Sequence, residues 1–253
     1  MDLIKKCLVI TAPVFFGYIS IGIPFGIMMV NAGYPWWLPP LMCLVMYAGA
    51  GQYFMVGLLA GGAGLFEILL AQFLVSIRQI FYGLSLIKRY KGTGKYKPYL
   101  MFAVTDETFA LVSSIDVPKN VNRGLFYTII SALDHFYWTL GTFIGSAGYK
   151  ILETFNITEY FKGVDFALTA LFMVLVIGQY KASHDLVPVL TGLIVSAVTV
   201  FLYRAGLFAS SNIIWVAIFF GTGAMLMMRG RKFFSEYRKT LEQEEKNNTE
   251  EES

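Results

Sequence analysis

The sequence predicts an all-α polytopic membrane protein with six to eight hydrophobic segments, two of them re-entrant or broken, and with both termini in the cytoplasm. Of its 253 residues, 56% are hydrophobic and only 15% are charged, against roughly 25% charged in an average soluble domain. Too few charges remain to clothe a soluble fold of this size. The apolar residues fall into runs of the length a bilayer demands, about 20 residues per helix. Two of those runs carry glycine or acidic clusters at their centres, where a plain span has neither.

The runs, in order, are 7–31, 36–60, 63–87, 98–115, 124–148, 164–179, 186–203 and 208–228. The first begins within MDLIKKCLVITAPVFFGYIS and continues past Met28 with no small-residue cleavage signature, so it reads as an uncleaved helix. Pro24, between Gly22 and Gly26, is expected to break it near the middle of the bilayer. The segment 149–163 is too polar to span and is expected at the interface, anchored by Tyr149, Phe155, Tyr160 and Phe161. Residues 1–235 read as a single transmembrane domain without an internal sequence repeat. Residues 236–253, rich in Glu, Lys and Asn, read as an acidic, disordered cytoplasmic tail.

Outside that tail, 17 Lys and Arg face ten acidic residues. In a membrane protein such an excess marks cytoplasmic loops rather than nucleic-acid binding. The clusters Lys5/Lys6, Lys88–Lys97, Lys119/Arg123 and Arg229–Lys239 all call for the cytoplasmic side. Eight strictly alternating spans cannot satisfy them. If 36–60 and 98–115 each enter and leave on one side, the conflict vanishes. The centre of the first is Ala48-Gly49-Ala50-Gly51-Gln52, and that of the second is Thr105-Asp106-Glu107. Broken backbone at membrane depth is tolerated only where protein or a water-filled cavity covers it, and discontinuous helices build the midplane sites of many transporters. Eight plain spans with a weaker charge rule are the alternative.

Arg78, Asp106, Glu107, Asp134 and His135 lie deep in these segments, where a charged side chain costs about 2.5–3.5 kcal/mol on insertion scales. A buried arginine without a partner is costly, so Arg78 is expected to pair with Asp106 or Glu107. Such a pair either fixes helix packing or anchors a carboxylate ligand, which a guanidinium matches in bidentate fashion. Asp106 and Glu107 are candidates for binding an ammonium or relaying a proton, and Asp134 and His135 are further relay candidates. The last two are adjacent, about 100° apart on a helix, and form no dyad; His135 has a structural reading beside the functional one. Gln52 and Gln79 are candidates for hydrogen-bonding a substrate, and Gly49 and Gly51 suit an unwound backbone that exposes N–H and C=O groups to it beside Gln52. Phe54, Met55 and Phe109 are candidates for an apolar lining. Gly22/Gly26, Gly57/Gly61 and Gly141/Gly145 are small-xxx-small pairs that let helices approach closely.

Cys7 and Cys43 sit in apolar runs with no CxxC and no metal-ligand spacing. No metal and no cofactor is expected. GxxxxGK[ST], HExxH and GxSxG patterns are absent, so no enzyme is expected, although an intramembrane enzyme is one rival reading.

The stretch IGIPFGIMMVNAGYPWWLPPLMCLVMYAGAGQYFMVGLLAGGAGLFEILLAQFLVSIRQIFYGLSL, followed by FAVTDETFAL, resembles the AzlC family, the large subunit of bacterial branched-chain amino-acid exporters. The resemblance is densest over residues 20–112. The residues it carries over are Pro24, Gly26, Gly51, Gln52, Arg78, Asp106 and Glu107. Arg followed by His is common in that family, whereas Gln79 follows Arg78 here. The resemblance implies a carrier of leucine, isoleucine, valine and analogues in the bacterial cytoplasmic membrane. It implies outward transport driven by the proton gradient, and a small multispanning partner of the AzlD type. An uptake permease or channel, or a non-carrying structural subunit, are the alternatives.

Overall fold

The computed structural model describes residues 3–118, 121–156, 163, 166–207 and positions 213, 216, 217, 219–221, 223, 224 and 227. Lys119, Tyr160, Phe161, Lys162, the cluster Arg229–Lys239, the tail 236–253 and part of the segment 208–228 lie outside the described residues. Among the described residues every regular element is helical. Two compact units divide the chain, Met1–Met173 and Val174–Ser253.

The first unit is organised by α1 (Leu3–Asn31) and α7 (Arg123–Thr154), which run parallel. Their register is fixed by Thr11 against Tyr137, Gly22 against Thr142, Gly26 against Ser146 and Asn31 against Tyr149. Four glycines set the crossing. A methyl at Gly26 would collide with the backbone of Thr142, and one at Gly145 with the backbone of Ile23. Side-chain-free surfaces let the two backbones touch, which is how helices associate in a medium as apolar as their own side chains.

Pro24 does not break α1, contrary to expectation: the helix runs unbroken through both Pro13 and Pro24. Pro24 cannot bond the carbonyl of Ser20. The glycine contacts on α7 back the helix there, and the Tyr53 hydroxyl donates to the carbonyl of Ile21, three residues before Pro24. Proline is tolerated within a membrane helix where neighbouring elements support the backbone around it. A second correction concerns residues 149–154. They extend α7 rather than lie apart from it, with Tyr149 buried and its hydroxyl bonded to Asn31 at 2.8 Å.

The two segments expected to be broken are each a pair of short helices. The first is α2 (Leu38–Met46) and α3 (Ala50–Ala60). The second is α5 (Lys97–Phe102), preceded by a 3-10 turn at Gly94–Tyr96, and α6 (Asp106–Ser114). The first break turns through Tyr47 and Gly49, both at positive φ (35° and 47°), the second through extended Thr105. Between the pairs lies α4 (Leu65–Leu86), about 33 Å long at 1.5 Å per residue.

Contacts at the two ends of the unit show how these pairs run. At the end where α1 and α7 start, Cys7, Leu86, Tyr90, Phe126 and Tyr127 share one buried cluster. Arg89 donates there to the Ile115 carbonyl and to Tyr127 Oη (3.2 Å), and Tyr96 packs on Gly124. Thus α5 leaves this end and α6 returns to it. At the other end Trp36 meets Phe143, α2 starts, and α3 turns through Gly62 into the descending α4. Each pair is therefore a hairpin that dips into the unit and comes back, one from each end. A span followed by a hairpin (α1, then α2–α3) recurs with opposite polarity (α4, then α5–α6). No sequence repeat announces this, because the repeat is one of path, not of residues.

The outer face of α4 is bare. Leu65, Phe66, Leu69, Phe73 and Phe81 are all more than half exposed, as expected of a face turned to hydrocarbon. The second unit holds the end of α8 (Phe166–Ser183) and α9 (Val187–Arg204), whose first turn is capped by Asp185 Oδ1 accepting from Val187 N at 3.0 Å. The helices α1, α4 and α9 are long and apolar enough to cross a membrane.

Two outcomes follow. Gly145→Val should lower the thermal unfolding midpoint of the detergent-solubilised chain markedly, by the roughly 1–3 kcal/mol of an overpacked core. Gly57→Ala, with open space around it, should not. Cysteines placed at Gly62 and at Asp116 should be labelled from opposite faces of sealed membranes. Eight plain spans would put them on the same face.

Candidate functional site

The tips of the two hairpins meet in the middle of the first unit, against α1 and α7. Each tip exposes backbone groups that a continuous helix would have bonded internally. The end of α2 is served by His135, whose Nε2 donates to the Cys43 carbonyl at 3.0 Å. A carbonyl only accepts, so Nε2 carries the hydrogen. Nδ1 then accepts from the Tyr99 hydroxyl of α5 at 3.3 Å. The imidazole stacks on Tyr47, with ring centroids 4.3 Å apart. His135 thus ties both hairpins to α7, a structural use of both ring nitrogens.

The start of α6 is capped by Thr105, whose Oγ1 accepts from Thr108 N at 3.2 Å. Asp106 and Glu107 occupy the first turn, where the helix dipole favours negative charge. Arg78 of α4 meets Asp106 there, Nη1 to Oδ2 at 2.7 Å, with 29% of each side chain exposed. This is the partner expected from the cost of an isolated arginine. Only one Asp106 oxygen and one terminal guanidinium nitrogen are used in that contact, so Arg78 keeps donors to offer. Tyr82, one helical turn beyond Arg78, stacks on Phe109 at 4.6 Å and walls the same corner.

Glu107 points the other way. Its Oε2 accepts from the Tyr18 hydroxyl of α1 at 2.8 Å. Tyr18 Oη lies 2.7 Å from Thr105 Oγ1, Thr105 Oγ1 lies 3.1 Å from Thr108 Oγ1, and Thr108 donates to Asp134 Oδ2 at 2.7 Å. Asp134 is fully buried, and its Oδ1 has no hydrogen-bond partner among the described residues. A hydroxyl chain therefore connects the carboxyl group of Glu107, at the start of α6, to the fully buried one of Asp134 on α7.

Gln52 and Gly51 lie elsewhere than expected. Gln52 is fully buried, with Oε1 accepting from the Trp138 indole at 2.7 Å and Nε2 on the Cys43 thiol at 3.4 Å. A methyl at Gly51 would collide with the Gln72 amide. Both residues pack the first hairpin onto its neighbours. Gln79 faces a lateral groove of about 380 Å³ between α4 and α5, lined also by Ser76, Gly83, Met101, Phe102 and Val104. Phe54 lies edge-on to Phe172, away from Phe109. Gly49 holds the positive-φ turn before α3, whereas Pro24 and Gly26 belong to the unbroken α1. Among the described residues no group of His, Cys, Asp and Glu could hold a metal ion.

Tyr18, Tyr82, Thr105 and Thr108 are site residues that the ionisable groups alone do not reveal. One signal was present: Thr105, immediately before Asp106-Glu107, is a helix N-cap in the making.

With bare apolar faces, spans long enough to cross and two opposed hairpins, the chain is a polytopic helical membrane protein. The family model described as "AzlC protein" matches residues 13–152, and the chain belongs to the AzlC family. It is 35% identical over 198 residues to the branched-chain amino acid transport protein AzlC of Bacillus subtilis (strain 168), covering 78% of this chain and 76% of the relative. It is 33% identical over 219 residues to an uncharacterized membrane protein of Helicobacter pylori (strain J99), covering 87% and 92%. The inner membrane protein YgaZ of Escherichia coli (strain K12) is 29% identical over 178 residues, covering 69% and 72%. No solved structure gives a significant match.

Gln52→Ala should destabilise the chain by about 1–3 kcal/mol in chemical denaturation, since it strands the buried Trp138 N–H. Gln79→Ala, on the open groove, should be nearly neutral in the same measurement.

Proposed function

We propose that this chain is the larger subunit of a secondary transporter that exports branched-chain amino acids, coupled to the proton gradient and working with a small multispanning membrane partner. The observation that carries the reading is the Arg78–Asp106 pair at the start of α6, beside a hydroxyl-linked carboxyl pair. The kinship with a branched-chain amino acid transport protein supports the class of cargo.

A zwitterion brings one carboxylate and one ammonium. The free donors of Arg78 take the carboxylate in fork geometry. Asp106 or Glu107 takes the ammonium. The aromatic wall of Tyr82 and Phe109 and the apolar groove beside Gln79 accept an aliphatic side chain. Gly51 and Gln52 serve by holding the first hairpin, and His135 by fastening both. Both termini face the cytoplasm in this reading. The basic segment Lys88–Lys97 then lies on that side with the start of α1, in keeping with the charge rule.

The pair also discriminates between carrier and scaffold. In cells expressing the chain with its partner and loaded with a leucine-containing dipeptide, Arg78→Gln or Asp106→Asn should abolish leucine efflux while the protein stays inserted. An apolar double replacement of the pair should not restore it. Efflux that survives either single change overturns the assignment, and efflux restored by the double change favours a structural subunit.

A further inference from the structure

We propose that Glu107 and Asp134 share a single proton, passed between them along the hydroxyls of Tyr18, Thr105 and Thr108. That this proton drives transport rests on the function proposed above; that it is shared does not.

The hydroxyl hydrogens available fall one short of the contacts they must fill. Four oxygen-to-oxygen contacts link the five groups, at 2.8, 2.7, 3.1 and 2.7 Å from Glu107 to Asp134. Three hydroxyls supply three hydrogens. The Thr108 N–H, which also bonds Thr105 Oγ1, brings its own and leaves the count unchanged. With both carboxyl groups ionised, Tyr18 must donate to Glu107 and Thr108 to Asp134. Thr105 then donates to one neighbour and presents a bare lone pair to the other. A buried contact between two acceptors is costly. One additional proton, on either carboxyl group, fills the fourth contact, so that every link between the five groups carries a hydrogen.

The filled chain has two equivalent directions. In one, Glu107 is the acid and hydrogens point from Glu107 through Tyr18, Thr105 and Thr108 to the Asp134 carboxylate. In the other, Asp134 is the acid and every hydrogen points back. Passing from one to the other moves each hydrogen to the next oxygen. One acid becomes a carboxylate, the other carboxylate becomes an acid, and the net charge does not change. Glu107 belongs to an exposed residue position at the start of α6 and Asp134 is fully buried on α7, so the shift moves a proton from the α6 tip to the α7 interior.

Among the described residues the surroundings supply no competing charge. On α4 and α6, Arg78 and Asp106 neutralise each other, and Tyr82 lies with them. Tyr99 of α5 and His135 of α7 are engaged with one another and with Cys43. Tyr47, at the end of α2, is buried against Tyr18 and Thr105. Its hydroxyl makes no hydrogen bond among the described residues, so it stands outside the count. No basic side chain is paired with Asp134 among the described residues, so no cation there offsets a second negative charge in the hydroxyl chain.

Infrared spectroscopy of the full chain in lipid vesicles at neutral pH tests this through the protonated-carboxyl stretching band. The wild type should show the band, and Asp134→Asn should remove it. Glu107→Gln should remove it as well, because the new amide N–H supplies the fourth hydrogen and leaves Asp134 ionised. Thr105→Val removes the two contacts that share one hydrogen, so it should lose the band with both carboxyl groups in place. A wild type without the band, or a band that survives Glu107→Gln in the intact chain, overturns the shared proton. The second result would mean that Asp134 holds its proton on its own account. Should the chain carry no amino acid, the spectra still decide the proton. Where it does carry one, Thr105→Val should slow gradient-driven transport at least about tenfold, and an unchanged rate removes the chain from the mechanism.

Discussion

Backbone amides cannot be left bare inside a bilayer, and this chain breaks two helices in the middle of its first unit. Everything around the breaks answers that constraint. His135 closes the end of α2, Thr105 closes the start of α6, and Tyr53 serves the carbonyl of Ile21, three residues before Pro24. The α1–α7 pair provides the wall on which these groups are mounted. Its glycines bring the two backbones close enough for Tyr18, Asp134, His135 and Trp138 to reach the same layer.

The same constraint turns a structural cost into a chemical opportunity. A hairpin tip places a helix start, with its partial positive charge, deep in the unit. Asp106 and Glu107 exploit it from one position apart, yet they face different company. Asp106 meets a cation and sits at an open corner. Glu107 meets a hydroxyl and begins a path inward. One helix start thus separates a group suited to holding cargo from a group suited to moving a proton. The opposed hairpins reach this layer from both ends of the unit, as the alternating exposure of the proposed transport would need.

Much of the fold was legible in the sequence. The edges of α1, α4 and α9 lie within a few residues of the hydrophobic runs, and both breaks fall at the predicted glycine and acidic centres. Positive loops pointed to hairpins because charge asymmetry reports sides directly. Pro24 misled because its effect depends on what packs beside it, and α7 supplies a glycine surface that no local pattern encodes. Residues 149–154 looked too polar to belong to a span, yet Tyr149 finds Asn31 across the pair. At the site, Arg78 and Asp106 were legible because isolated charge in oil is conspicuous. Tyr18 and Thr108 were not, since hydroxyls are ordinary in membrane helices and only a partner two elements away gives them meaning. Gln52 was polar and central, but its amide is consumed by Trp138 and Cys43.

The central claim is that the layer where the hairpins meet is reached by water and cargo rather than sealed. A cysteine at Ala110, one turn beyond Asp106 on α6, measures this directly, because the native Cys7 and Cys43 are buried. In sealed vesicles of both orientations, Ala110→Cys should react with a small membrane-impermeant thiol reagent, and leucine should slow the reaction. A folded protein whose cysteine reacts from neither side would contradict the account.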